Sequence, residues 1–322
     1  MTDLGSPTQK RSRSRAVVLR SVLVGTFGLG LSGLGALVGD LARHPPQAAA
    51  DVPLAHEATL QHEWRLKLGR HWQITSSPSE SAEATDAAEG NRGTCGPGMI
   101  EVKGRMKVDP SKNHFSSETV EEMQKTTCTK WLQKEYPERC AEFDRDKCLA
   151  ISKELPTKPL HFCMDRFEYP NQKGSYPWIM ISWYEAEDLC AEEGKRLCTE
   201  DEWTFACEGE EATPYPYGYT RDSTACVIDK HWRPYHETAM RPRDGQNAAA
   251  ELDRLWQGVP SGSQPRCKSV FGVYDMTGNV DEWTRSSHEG ERPSILKGGY
   301  WGPVRKSSSD SPSRAPLPGQ LQ

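Results

Sequence analysis

Tyr274-Asp275-Met276-Thr277-Gly278-Asn279-Val280-Asp281-Glu282-Trp283 is the stretch that decides how this chain is read. Acidic side chains, a glycine where the backbone must bend and a closing tryptophan stand close together. An oxygen-rich, glycine-broken segment suits a hard cation such as calcium, which takes about 6–8 oxygen ligands in irregular geometry. The alternative is a tight turn with Glu282 solvated and Trp283 in the core. Asp281 is expected to face solvent.

Working outward, Gly194-Lys195-Arg196-Leu197-Cys198-Thr199-Glu200-Asp201-Glu202-Trp203 lies upstream and Lys297-Gly298-Gly299-Tyr300-Trp301 downstream. Thr199 with Glu202, and Ser182 with Glu185, fit capping boxes and predict two helix starts. The first helix carries Trp183, Ala186, Leu189 and Cys190 on one face and stops at Gly194; the second carries Trp203, Ala206 and Cys207. Phe162 to Tyr169 alternates apolar and polar, the period of a half-buried strand. Cys95 to Val102 reads as a turn and a short strand, and residues 116–150 as a charged helical insertion. After Glu208 the chain carries few periodic signals.

The termini differ from this middle. Residues 1–15 are basic, and Ser21 to Gly39 holds no charge over nineteen residues. That is close to the ~20 apolar residues a membrane-crossing helix needs. Residues 16–39 therefore read as an anchor, or as a signal segment cut near Ala48-Ala49-Ala50. Basic residues before the apolar run place the chain after Asp40 outside the cytoplasm. Residues 40–93 read as linker, with a short helix expected between His56 and Trp72 and its histidines solvated. Ten cysteines fall between Cys95 and Cys267, and none stands in a C-x-x-C spacing. In an exported domain that count reads as disulfides, whose pairing the sequence leaves open. No phosphate loop, no Ser/His/Asp constellation and no nucleic-acid patch is present beyond the basic leader.

Six pieces in order carry a family resemblance: Gly98-Met99-Ile100-Glu101-Val102, Ile181-Ser182-Trp183-Tyr184-Glu185-Ala186, Gly194 to Trp203, Tyr217-Gly218, Tyr274 to Trp283, and Lys297 to Trp301. Together they resemble the formylglycine-generating enzyme (sulfatase-modifying factor) family over residues 94–304. The resemblance implies an α+β fold with little regular secondary structure, distantly similar to C-type lectins. It also implies a calcium site using the side chains of Asp275 and Glu282 and the carbonyls of Gly278 and Val280. A second calcium segment of the family is similar to Ala225-Cys226-Val227-Ile228-Asp229, where Val227 supplies no side-chain oxygen.

Active members of the family oxidise a cysteine of a protein substrate to formylglycine, and resemble one another in a cysteine pair that binds Cu(I) after the Gly-Gly-aromatic segment. Here that stretch is Gly302-Pro303-Val304-Arg305-Lys306-Ser307-Ser308-Ser309-Asp310, and no cysteine follows Cys267. Serine does not replace thiolate on Cu(I). Residues 305–322 form a low-complexity tail in place of the family's closing helix and strand, either truly divergent or cut or frame-shifted near Arg305. Three functions stay open: the oxidase class without its copper pair, a non-catalytic lectin-like module holding a peptide or glycan, and a non-copper enzyme of the family. Tyr300, Trp301 and Arg305 are the expected lining of a binding cleft. The expected partners are a protein or peptide, and a membrane through the N-terminal segment. His231 and His236 are a weaker metal candidate.

Overall fold

The computed structural model describes residues 60–75, 94–108, 117–135, 138–287 and 293–302. The basic leader, the apolar run 16–39, most of the linker, Arg305 and the tail lie outside the described residues. Among the described residues no helix is long and apolar enough to cross a membrane.

Strands β1 (Glu63–Lys67) and β2 (His71–Thr75) form an antiparallel hairpin with Trp64 opposite Ile74. This replaces the short helix expected there. A lone two-stranded hairpin is marginal in water, and this one is stabilised by docking. Trp64, Trp72 and Ile74 pack against Ala249, Leu252 and Trp256. Asp253 accepts from the backbone N–H of Gln61 at 2.7 Å and of His62 at 3.1 Å, and from Trp64 Nε1 at 3.0 Å. The two described histidines are not solvated, His56 lying outside the described residues: His62 Nδ1 lies 2.8 Å from Asp253, and His71 is fully buried.

The central ladder pairs β3 (Met99–Lys107) with β6 (Thr157–Asp165), antiparallel along its whole length. Ile100, Val102, Met106 and Met164 from this ladder form one core with Trp203, Phe205, Ala206, Val273 and Met276. Between the two strands the chain inserts α1 (Ser117–Thr127), a bulged hairpin of β4 (Cys128–Gln133) and β5 (Arg139–Phe143), and α2 (Arg145–Glu154). The predicted charged insertion is therefore half hairpin.

Helices α3 (Trp183–Glu192) and α4 (Glu200–Glu208) begin with the two predicted capping boxes, both present with reciprocal hydrogen bonds. The irregular stretch after Glu208 holds α5 (Gln246–Leu255), which carries the hairpin's contacts. Strands β7 (Glu282–Arg285) and β8 (Ser294–Lys297) pair antiparallel and lead directly out of the acidic loop. Among the described residues the paired strands form four two-stranded sheets, a mixed helix and strand content with long irregular connections.

Three disulfides staple these connections: Cys95–Cys163, Cys128–Cys140 and Cys226–Cys267. Cys148, Cys190, Cys198 and Cys207 stand outside these three disulfides. A sheet-poor domain gains from such cross-links, each typically worth ~2–4 kcal/mol.

Candidate functional site

The segment Tyr274 to Trp283 is a loop turned by left-handed residues: Asp275 at φ 56°, Gly278 at 82° and Asn279 at 60°. Gly278 has no substitute, because a Cβ there would sit 2.2 Å from the carbonyl oxygen of Val227. The loop is tied to three remote segments. Asp275 N–H donates to Cys267, beside the Cys226–Cys267 disulfide; Gly278 N–H donates to Gly298; Asn279 N–H donates to Val227. The loop is thus held from opposite sides, by the Gly-Gly-aromatic segment and by the disulfide-linked stretches around Val227 and Cys267.

The loop brings three carboxylates to one region, where they meet a fourth from a remote turn. Asp275 is 1% exposed and accepts from Gly262 N–H at 2.6 Å through Oδ2. Glu282 accepts from Trp203 Nε1 through Oε2. Asp281, expected in solvent, is half-buried, and its Oδ1 is shielded and without a hydrogen-bond partner. The fourth is Glu168, which the sequence did not single out. It is 6% exposed and accepts from Ser261 Oγ at 2.7 Å, Asn279 Nδ2 at 2.6 Å and Val280 N–H at 3.3 Å. Its signal was the polar phase of the alternation around β6, but the strand ends at Asp165 and Glu168 turns inward.

Burial dominates the electrostatics of this group. It pushes Asp275 up to about 6 against the Gly262 N–H, and Asp281 up to about 7. Glu282 rises to about 7 by burial, opposed by the Trp203 hydrogen bond and aided by the charges of Asp275 and Asp281. Burial, with the charges of Asp275 and Glu282, holds Glu168 well above the usual carboxylate range. Excess buried negative charge with no cation partner is the arrangement a divalent ion relieves.

The donor set fits calcium. Asp275 Oδ1 and Glu282 Oε1 are not claimed by the contacts that hold their sister oxygens, and the carbonyls of Gly278 and Val280 belong to the same bend. Among the described residues no three His, Cys, Asp or Glu side chains converge closely enough to hold a metal by themselves. An ion here therefore depends on backbone carbonyls, as calcium sites commonly do. The second calcium segment is differently employed: Asp229 is paired with Arg221 at 2.6 Å, and Val227 is buried. His236 lies against Glu251 at 3.2 Å, and His231 is exposed.

Beside the loop opens a cavity of about 1090 Å³. Val280, Asp281 and Glu282 line one part, and Trp178, Trp203, Trp283, Tyr300 and Trp301 form much of its aromatic wall. Tyr300 is 38% exposed, and Trp301 packs edge-on against Trp256 at 4.7 Å. Two of the expected cleft residues are thus on the wall, and Arg305 lies outside the described residues. Cys190 and Cys198 also line the cavity. Burial pushes their thiols up to about 11 and about 12, so both are protonated at neutral pH.

Comparison with known proteins agrees with this architecture. The sulfatase-modifying factor enzyme 1-like domain matches residues 112–319, more than half of the chain. An inactive C-alpha-formylglycine-generating enzyme 2 from Bos taurus is 29% identical over 40% of this chain and 40% of its own length. A formylglycine-generating enzyme from Mus musculus is 28% identical over 35% of this chain and 27% of its own. One from Thermomonospora curvata is 31% identical over 34% and 33%. The matches span between about a quarter and two fifths of these relatives. With the family match, the ordered motifs and the glycine-turned acidic loop in agreement, the chain belongs to the sulfatase-modifying factor family.

Proposed function

We propose that this chain is a calcium-organised, polypeptide-binding member of its family that works outside the cytoplasm without copper-dependent oxidation. The observation that carries the reading is the aromatic cavity bordered by the acidic loop. Asp275, Gly278, Val280 and Glu282 would hold the ion, and calcium bound there would supply compensating charge and a fixed loop. Around it Trp203 orients Glu282, and Gly262 orients Asp275, so the loop's shape is set before any ligand enters. The wall residues Tyr300 and Trp301 supply apolar area, as aromatic side chains do at peptide interfaces.

Three disulfides support an oxidising compartment. Membrane attachment through residues 16–39 is part of the same proposal, tested by whether the chain stays with the membrane after carbonate washing. Ser307, Ser308 and Ser309, in the stretch after the Gly-Gly-aromatic segment, support a non-oxidising role, since Cu(I) selects thiolates. The relative named as inactive supports the same view.

The test is incubation of the purified chain with a Cys-x-Pro-x-Arg peptide, Cu(I) and oxygen, read by binding and by mass spectrometry. Retention of the peptide with its thiol intact is expected; aldehyde formation would overturn the reading. Oxidation of a protein cysteine to formylglycine is the second reading, favoured by Cys190 and Cys198 standing free on the cavity wall. It requires aldehyde formation that is lost in Cys190→Ser or Cys198→Ser.

A further inference from the structure

The β1–β2 hairpin is fastened to a segment of the cavity wall. Trp72 N–H donates to the carbonyl of Ile179 at 3.1 Å, and Ile179 N–H donates back to Trp72 at 2.8 Å. Gln73 Nε2 donates to the carbonyl of Tyr176 at 2.7 Å, and Trp72 Nε1 to that of Arg243 at 2.7 Å. Trp178, Ile179 and Met180, within the segment so held, line the cavity itself. His71 sits at this seam. It is 0% exposed, and neither Nδ1 nor Nε2 has a hydrogen-bond partner. Its ring stacks on Trp178 with 6.1 Å between centroids, and Trp178 Nε1 likewise has no acceptor. The site suits a neutral ring, because a buried charge without a partner is expensive.

We propose that His71 makes the hairpin an acid-released strap: protonation of the ring undocks β1–β2 from residues 176–180 and loosens that part of the cavity wall. A proton on this ring meets no unclaimed carboxylate. Burial is the largest influence and keeps the ring neutral, aided by Arg243 and Arg70; Glu185 and the Met180 backbone act against it. Glu185, on α3, is already committed. It pairs with Arg243 at 2.5 Å, accepts from Ser182 N–H and Oγ at 2.8 Å each, and lies 3.9 Å from Arg70. Lys67, opposite His71 on β1, adds a further positive group. Tyr176, in the wall segment, stays neutral because burial raises its pKa. The other element packed on the hairpin, α5, contributes Asp253, which its hydrogen bonds hold below the usual value against burial. Asp253 faces His62 at 2.8 Å, so a charge on that histidine is met and does not release the strap. Undocked, the His71 ring meets water and takes its proton near the ordinary histidine value of about 6.5. Docked, it takes the proton at lower pH. Acid therefore favours the undocked form, and a hairpin of two strands is marginal once alone. The consequence for a ligand rests on the polypeptide-binding reading above: a wall freed at 176–180 lets the bound segment go.

Hydrogen exchange on the full chain at pH 7.5 and 5.5, corrected for the intrinsic rate at each pH, reads the strap directly. Amides of 71–75 and 178–181 are expected to open at least about threefold more at the lower pH, while the β3–β6 ladder holds. His71→Phe keeps a ring against Trp178 and cannot titrate, so the acid response should vanish in it. An unchanged response in His71→Phe, or no response in the parent, overturns the proposal. Should His71→Phe fail to fold, His71→Leu replaces it with the same two outcomes. Calorimetry with the Cys-x-Pro-x-Arg peptide at both pH values separates the strap from the polypeptide reading. A loss of affinity of at least about threefold at pH 5.5 that His71→Phe abolishes supports release. Absence of binding at pH 7.5 overturns the polypeptide reading and leaves the strap standing. Binding unchanged by acid while the hairpin opens overturns the link between strap and cavity.

Discussion

Asn279 Nδ2 donates to Glu168 Oε2 at 2.6 Å, joining the acidic loop to a turn 111 residues earlier in the chain. Asn279 Oδ1 accepts from Val259 N–H at 2.8 Å, so one amide fixes both the loop and the segment leading to Ser261. The carboxyl that receives this bond is buried, and burial with the charges of Asp275 and Glu282 raises its pKa well above the usual carboxylate range, against the hydrogen bonds from Ser261 and Asn279.

Glu168→Gln should be the milder change, costing about 1 kcal/mol, because its amide oxygen still accepts from Ser261 and Asn279 and only the long contact from Val280 N–H is lost. Glu168→Ala leaves the Asn279 amide and Ser261 hydroxyl without their acceptor and should cost about 3 kcal/mol. Urea unfolding of the two variants checks the difference; equal losses would contradict the acceptor role of Glu168 Oε2.

Gly278→Ala should lower stability by on the order of 3 kcal/mol or more, since it combines a left-handed backbone with a Cβ driven into the Val227 carbonyl. Thermal unfolding measures it, and a variant as stable as the parent would show that the bend is drawn incorrectly.

In chelator the acidic cluster should make the protein less stable as pH rises. Asp275, Asp281 and Glu282 titrate near 6 to 7 when folded, against about 4 when unfolded. Between those values the folded chain binds more protons than the unfolded one, so stability falls with rising pH and levels off above about 7. Saturating calcium should flatten the decline, because the ion stabilises the charged carboxylates. Melting temperatures across pH 4.5 to 8, with and without calcium, test this; a rise with pH in chelator would contradict it.

Asp253 tests the hairpin. Burial opposes its ionisation, but hydrogen bonds from Trp64, Gln61 and His62 prevail and hold the carboxyl below its usual value. Its contribution is present above the unfolded aspartate pKa of about 4 and disappears as pH falls through the lower folded value. Asp253→Ala should cost about 2–4 kcal/mol locally. Hydrogen exchange should show loss of protection over 63–75 while the β3–β6 ladder stays protected.

Local chemistry was readable where it is self-contained. Ser182 with Glu185 and Thr199 with Glu202 each close a box within four residues, and Gly278 marks its own bend. The hairpin at 63–75 was hidden because its determinant, Asp253, lies 189 residues from Trp64 and outside any local window. Glu168 was missed and Asp281 misjudged for the same reason. Their burial comes from segments that meet only in the fold: Ser261 and Asn279 for Glu168, and the cavity wall for Asp281.

The calcium site proposed at the loop is most directly tested by calorimetric titration of the chelator-treated protein with calcium. One ion per chain is predicted, with binding abolished in Asp275→Asn and in Glu282→Gln and retained in Asp281→Asn. Absence of saturable calcium binding in the parent protein, or unchanged binding in the first two variants, would contradict the account.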